Sequence, residues 1–172
     1  MEIPTTEKIS MQLNELFAIK STMRAIIQRV SQASVEVEGE IVAEIASGLL
    51  ILLGIESEDD TADIEWLSAK IARMRIFSDA NDLMNLSLQD VNGDAIVVSQ
   101  FTLHAATKKG NRPSFIKAAR PEIAIPLYEN FVLQLEKELS RKVQTGNFGA
   151  DMKVRLLNDG PVTIFMDSKN RE

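Results

Sequence analysis

The spacing of apolar and polar positions changes character several times along the chain. From Met23 on, Ala25-Ile26-Ile27 followed by Val30 reads as a strand. Val35 and Val37 alternate with Ser34, Glu36 and Glu38, Gly39 permits a turn, and Ile41 and Val42 follow, the signature of a hairpin with one wet face. Gly48-Leu49-Leu50-Ile51-Leu52-Leu53-Gly54 has no polar alternation and predicts a strand buried on both faces. Asp59 to Arg75 takes helical period, with Ile64, Leu67, Ile71 and Met74 on one face and acidic residues at the start, where the helix dipole favours them. Ile76-Phe77 and Leu83 to Leu88 read as short strands, with Ser78–Asn81 and Asn92-Gly93-Asp94 as turns.

Ala95 to Leu103 reads as an apolar strand that turns polar at its end, and Thr107 to Pro113 as a loop. Pro121 opens a second helix that runs to about Arg141, unless Pro126 moves its start. Val143–Met152, Val154–Leu157 and Val162–Met166 read as further strands, the last two joined tightly through Asn158-Asp159-Gly160. The sum is a single α/β domain with a mostly antiparallel sheet and two main helices. It occupies residues 23–172. Residues 1–22 form an N-terminal extension, either poorly ordered or a short amphipathic helix with Ile9, Leu13, Leu16 and Phe17 at helical spacing.

Composition narrows the chemistry. The 172 residues suit one domain with a real core, and the absence of cysteine removes disulfides, thiolate nucleophiles and cysteine-ligated metals. No apolar run approaches the length of a membrane span, and residues 1–22 do not resemble a signal peptide, so a cytoplasmic protein without membrane contact is expected. The net charge of −6 argues against a protein that wraps duplex nucleic acid. Yet residues 101–120 carry Lys108, Lys109, Arg112, Lys117 and Arg120 with no acidic residue. That patch fits either a solvated loop or a local contact to phosphates.

Side-chain nucleophiles are few. Ser99 and Thr102 close an apolar strand, and the single histidine, His104, would share a strand face with Thr102. No Gly-x-Ser-x-Gly elbow, metal-ligand spacing or glycine-rich phosphate loop accompanies them, so no metal and no organic cofactor is expected.

Three strings remain: Ser99-Gln100-Phe101-Thr102-Leu103, Gly110-Asn111-Arg112-Pro113-Ser114-Phe115 and Asn158-Asp159-Gly160-Pro161-Val162-Thr163. With Met23–Val30, Arg75–Asp79, Met84-Asn85-Leu86 and Gln144-Thr145-Gly146, they resemble the D-aminoacyl-tRNA deacylase family over about residues 23–166. Residues 1–22 fall outside that pattern, and His104 stands where the family tolerates various residues.

The resemblance implies a homodimeric esterase with a barrel-like, deacylase-type fold. Such an enzyme releases D-amino acids, and glycine mischarged on tRNA-Ala, from the acceptor end of aminoacylated tRNA. It implies that Gly160-Pro161 is joined by a cis bond and enters the partner's site. Backbone carbonyls there would hold the substrate's α-ammonium group, so that an L side chain collides with the wall while a D side chain or a hydrogen does not. Ser99, Gln100, Phe101 and Thr102 match the reaction side, where a main-chain N–H stabilises the oxyanion, worth about 2.7–4 kcal/mol in comparable sites. Met84, Asn85, Phe148, Gly149, Ala150 and Thr163 match substrate-lining positions, Arg29 a brace for the Gly-Pro loop, and Lys108 and Arg112 contacts to tRNA phosphates. Two other readings stay open. One is a dimeric nucleic-acid-binding module without catalysis, and the other an esterase that uses Ser99 or Thr102 with His104.

Overall fold

The computed structural model describes residues 22–171. Residues 1–21, and with them nearly all of the expected N-terminal extension, lie outside the described residues. Strand β1 (Arg24–Val37) organises the fold. Along one edge it pairs antiparallel with β2 (Glu40–Ile45) and β3 (Gly48–Gly54), which lie end to end. The register runs on across the break between them, with Ala33 opposite Ile45 and Val30 opposite Gly48. Along its other edge β1 pairs with β8 (Met152–Asp167).

β3 continues to β6 (Asp94–Ser99) and β6 to β7 (Gln144–Thr145), both in parallel. The sheet is therefore mixed, which corrects the mostly antiparallel expectation. Helix α1 (Thr61–Arg73) lies between β3 and β6, and α2 (Pro121–Leu139) between β6 and β7. A helical crossover returns the chain to the starting end of the sheet, so the strands it joins run the same way. The sheet nearly closes on itself. The Gln144 side chain accepts from the Glu44 N–H at 2.8 Å and donates to the Glu44 carbonyl at 2.5 Å, which joins the β7 edge to β2. A small hairpin of β4 (Phe77–Ser78) and β5 (Met84–Leu86) stands apart; β4 lies one residue later than expected, and β5 covers only part of the expected Leu83–Leu88.

β3 is buried on both faces, as its unbroken apolar run requires. Leu50 joins Val30, Val35, Ala43, Ile96 and Val98 in one core, while Leu49, Ile51 and Leu53 join the helices in another. Asp60 caps α1 by accepting from the Ala62 and Asp63 N–H groups, and the Asp63 carboxylate accepts from the Asp60 N–H in return. α2 starts at Pro121, with Pro126 inside its early turns.

Three local expectations are corrected. β6 ends at Ser99, and Phe101–His104 form a short 3-10 helix rather than more strand. The neighbouring β3 stops at Gly54, so after the bond from Gln100 N–H to the Leu53 carbonyl (2.7 Å) no ladder remains to hold an extended chain. The run Val143–Met152 keeps Gln144 and Thr145 as β7 and Met152 as the start of β8, which leaves Phe148–Ala150 in a loop. Finally, Asn158-Asp159-Gly160 does not join two strands. Both flanks belong to β8 and pair with β1, Asn158 opposite Val30 and Thr163 opposite Gln28. Asp159, Gly160, Pro161 and Val162 bulge out opposite Arg29.

Candidate active site

The parallel strands β3 and β6 end side by side, and a cavity of about 270 Å³ opens beyond their carboxyl ends. Such ends are where ligands gather in parallel sheets, because helix crossovers leave a crevice there. The cavity is lined by Ser99, Gln100 and Phe101 on one side and by Phe148, Gly149 and Ala150 on the other, with Leu53, Ala119 and Ala124 among its apolar walls. Residues far apart in sequence thus share one wall-to-wall space. Tyr128 sets the Phe148 ring, which meets it edge-on at 5.7 Å, while the buried Tyr128 hydroxyl donates to the Val97 carbonyl at 2.7 Å. Burial pushes that phenol above its ordinary pKa of 10.0, so it stays a neutral donor.

The 3-10 helix carries the rest of the reaction-side motif. Its first internal bond runs from the Leu103 N–H to the Gln100 carbonyl at 3.2 Å, so the amides of Phe101 and Thr102 have no acceptor within the helix. Phe101 is half exposed, and its ring meets Phe115 edge-on at 5.1 Å. The Thr102 hydroxyl accepts from the Gln100 side chain and is not among the cavity walls. His104 does not share a face with it. The imidazole is fully buried, Nδ1 lies 3.0 Å from Glu56 Oε1, and Nε2 is turned to the Gly54 backbone. Burial holds its pKa below the usual 6.5, against the raising pull of the Gly54 carbonyl and the Glu56 carboxylate. An imidazole so enclosed is not placed to take a proton from Ser99 or Thr102.

A second cluster lies on β8. The Gly160-Pro161 bond is cis, and both residues are exposed and absent from the walls of their own chain's cavity. The bulge is held from both sides. Asn158 Oδ1 accepts from the Val162 N–H at 2.8 Å, and Asn158 Nδ2 donates to the Thr163 hydroxyl at 3.0 Å. Arg29 Nε donates to the Asp159 carbonyl at 2.9 Å, and Nη1 to the Ile76 carbonyl at 2.5 Å. Sequence reasoning missed Asn158 as a clamp, although an Asn that opens a turn is a common signal for one.

Met84 and Asn85 lie exposed on β5 and belong to neither cluster. The Asn85 amide donates to Asp79 at 3.2 Å. Lys108 and Arg112 are exposed on a loop closed at its base by reciprocal Ala106–Ser114 backbone bonds of 2.7 and 3.0 Å. The Phe115 ring just beyond this loop contacts Phe101, which lines the cavity. Among the described residues no three His, Asp or Glu side chains are grouped to hold a metal ion, and no helix is long and apolar enough to cross a membrane.

Comparison with known proteins fits this geometry. The D-aminoacyl-tRNA deacylase of Flavobacterium johnsoniae is 72% identical over 150 residues, which is 87% of this chain and 100% of the relative. That of Bacteroides thetaiotaomicron is 58% identical over the same shares. A solved structure described as c-Myc DNA Unwinding Element Binding Protein is 40% identical and superposes with a TM-score of 0.78 over 83% of this chain and 97% of its own. A probable eukaryotic D-amino acid tRNA deacylase, 18% identical with a TM-score of 0.73 over 85% and 99%, shares the fold. The family model for D-Tyr-tRNA(Tyr) deacylase matches residues 26–167, from the first strand through the Gly160-Pro161 bulge, and the chain belongs to that family.

Proposed function

We propose that this protein hydrolyses the ester of D-aminoacyl-tRNA, and of glycine mischarged on tRNA-Ala, to free amino acid and tRNA. The carrying observation is the separation of two half-sites. Ser99–Phe101 and Phe148–Ala150 enclose one cavity, while the exposed Gly160-Pro161 is not among its walls. A loop outside its own cavity suits the cavity of a second copy, so the working form is a homodimer; a tRNA substrate places it in the cytoplasm.

In this reading the acceptor end of the tRNA enters beside the basic loop, with Lys108 and Arg112 on its phosphates. Water attacks the ester carbonyl. Negative charge grows on the carbonyl oxygen, and the main-chain amide at Phe101 stabilises it. The C–O bond to the terminal ribose breaks, the ribose oxygen takes a proton, and the amino acid leaves as its carboxylate. An aminoacyl ester is activated enough to need no side-chain nucleophile. The partner's bulge selects the hand: carbonyls beside Gly160 and Pro161 accept from the α-ammonium group, and an L side chain then meets backbone. Met84, Asn85 and Thr163 contribute to the substrate surface of the assembled site, and Arg29 braces the bulge.

The structure described as c-Myc DNA Unwinding Element Binding Protein is the one observation that favours a second reading, a nucleic-acid-binding module without catalysis. Turnover separates the two. The purified protein is incubated with D-Tyr-tRNA and with L-Tyr-tRNA, with and without chelator. Release of D-Tyr alone, unaffected by chelator, is expected; no D-selective release would overturn the proposal.

A further inference from the structure

The reaction-side turn is fastened by a buried polar pair that the reading above leaves unused. His104 ends the 3-10 helix that starts at Phe101, and its side chain has no exposed surface. Nδ1 stands 3.0 Å from Glu56 Oε1, and the other oxygen of the same carboxylate accepts from the Thr22 N–H at 3.1 Å. Both ring nitrogens thus face acceptors, Nδ1 the Glu56 carboxylate and Nε2 the Gly54 carbonyl. Glu56 is itself fixed. Its N–H donates to Asp59 at 2.8 Å, and it bridges to Ala118 just before α2.

The fit beneath the imidazole is close. A Cβ at Gly54 would stand 2.9 Å from His104 Nε2, 3.0 Å from the Gln100 carbonyl and 3.0 Å from Leu103 Cβ. Only a residue without a side chain lets the turn settle this near the end of β3. From the other side Arg24 Nη1 donates to the Leu103 carbonyl at 3.0 Å while its Nε bonds Asp167 at 3.2 Å. Both ends of the turn are thus tied to β1 and β3, and His104 is the tie that comes from within it.

We propose that His104 and Glu56 are positioning residues, which set the 3-10 turn over Gly54 so that Phe101 and the amides at its start stand at the cavity wall. The inference rests on the deacylase reading. The pair touches no substrate and acts only through the turn. Small errors in the placement of reacting groups cost about 10- to 100-fold in rate without weakening binding. Loss of the pair therefore lowers kcat and leaves KM for D-aminoacyl-tRNA unchanged.

The test compares wild type, His104→Leu, His104→Asn and Gly54→Ala in steady-state deacylation of D-Tyr-tRNA, with amide hydrogen exchange followed over residues 100–105. Asn places a donor where Nδ1 stood; Leu fills the space without one. Expected are a kcat about 10-fold or more below wild type for H104L and G54A, near-wild-type kcat for H104N, unchanged KM, and faster exchange confined to the turn in H104L. An active wild type with H104L equal to it in kcat, or H104N as impaired as H104L, would overturn the positioning role. Slowed turnover in H104L without faster exchange in the turn would overturn it as well. An inactive wild type instead removes the deacylase reading, and the inference with it.

Discussion

Arg29 holds the Asp159 carbonyl at 2.9 Å from one nitrogen of its guanidinium and the Ile76 carbonyl at 2.5 Å from another. It is also the β1 residue that faces the Gly160-Pro161 bulge. One nearly buried side chain thus links the bulge to the β4–β5 hairpin. Arg29→Ala leaves two carbonyls without donors, a loss of about 1–3 kcal/mol in stability, and frees the bulge. Lower D-Tyr-tRNA turnover and poorer discrimination against L-Tyr-tRNA are expected. Arg29→Lys keeps the charge but lacks the planar fork, so it should restore stability more than selectivity. Chemical denaturation and paired deacylation assays check both.

Gly160 has a φ of +136°, and an added Cβ would stand 2.8 Å from Val162 Cγ2 and 3.0 Å from Arg29 Nη2. Positions of this kind are nearly closed to side chains, at a cost on the order of 1–3 kcal/mol. Gly160→Ala should therefore shift the bulge while the cavity of the same chain stays intact. The expected outcome is a dimer whose Tm is lowered by roughly 2–12 °C and a clear loss of D-Tyr-tRNA turnover. Unchanged kinetics would show that the bulge takes no part.

Thr102 bonds through its hydroxyl to the Gln100 side chain, apart from the cavity walls. If main-chain amides do the work, Thr102→Ala keeps activity within a few-fold of wild type. Complete loss in a folded variant would restore the side-chain nucleophile, although His104 is not placed to serve as its base.

These expectations divide along what a local pattern can report. The apolar run at Gly48–Gly54 and the helical period from Asp59 declare their elements through local pattern alone, and both formed. The directions of β6 and β7 did not show, because periodicity reports burial and not the partner. The apolar positions Phe101 and Leu103 continue the β6 pattern, and only the end of β3 at Gly54 stops the strand. Asn158–Gly160 has the chemistry of a hairpin turn. That both flanks pair with β1 is a long-range fact of register. His104 looked like a chance neighbour of Thr102, since its partner Glu56 lies on a different segment.

Lys108 and Arg112 are exposed on the loop between Ala106 and Ser114. Replacing both with Glu should raise KM for aminoacyl-tRNA, with little effect on saturated turnover. Binding measured against salt should lose about 1.4–1.8 from its log–log slope. An unchanged slope would mean that the loop does not touch phosphate.

Asp59 gives a pH dependence of stability. Burial, reinforced by the charges of Asp63 and Glu56, raises its pKa from 3.8 to about 7, against a backbone N–H bond from Glu56 and the charge of Lys169. Between those two values the unfolded chain releases a proton that the folded chain keeps. The contribution of Asp59 to stability therefore falls as pH rises from about 4 to about 7 and is flat above, at a slope of at most about 1.4 kcal/mol per pH unit. Asp59→Asn removes the titration, so it should raise Tm more at pH 8 than at pH 5. The reverse order would place the raised pKa elsewhere.

The central claim is that one protomer's cavity and its partner's Gly160-Pro161 make one site. Mixing two impaired variants tests it most directly. Ala150→Trp fills the cavity and spares the bulge, and Gly160→Ala does the opposite. After exchange of protomers half of the dimers are mixed, each with one intact site of two, so D-Tyr-tRNA turnover should recover to about a quarter of wild type. A mixture that forms mixed dimers by mass spectrometry, yet shows no more activity than the average of its parents, would contradict the account.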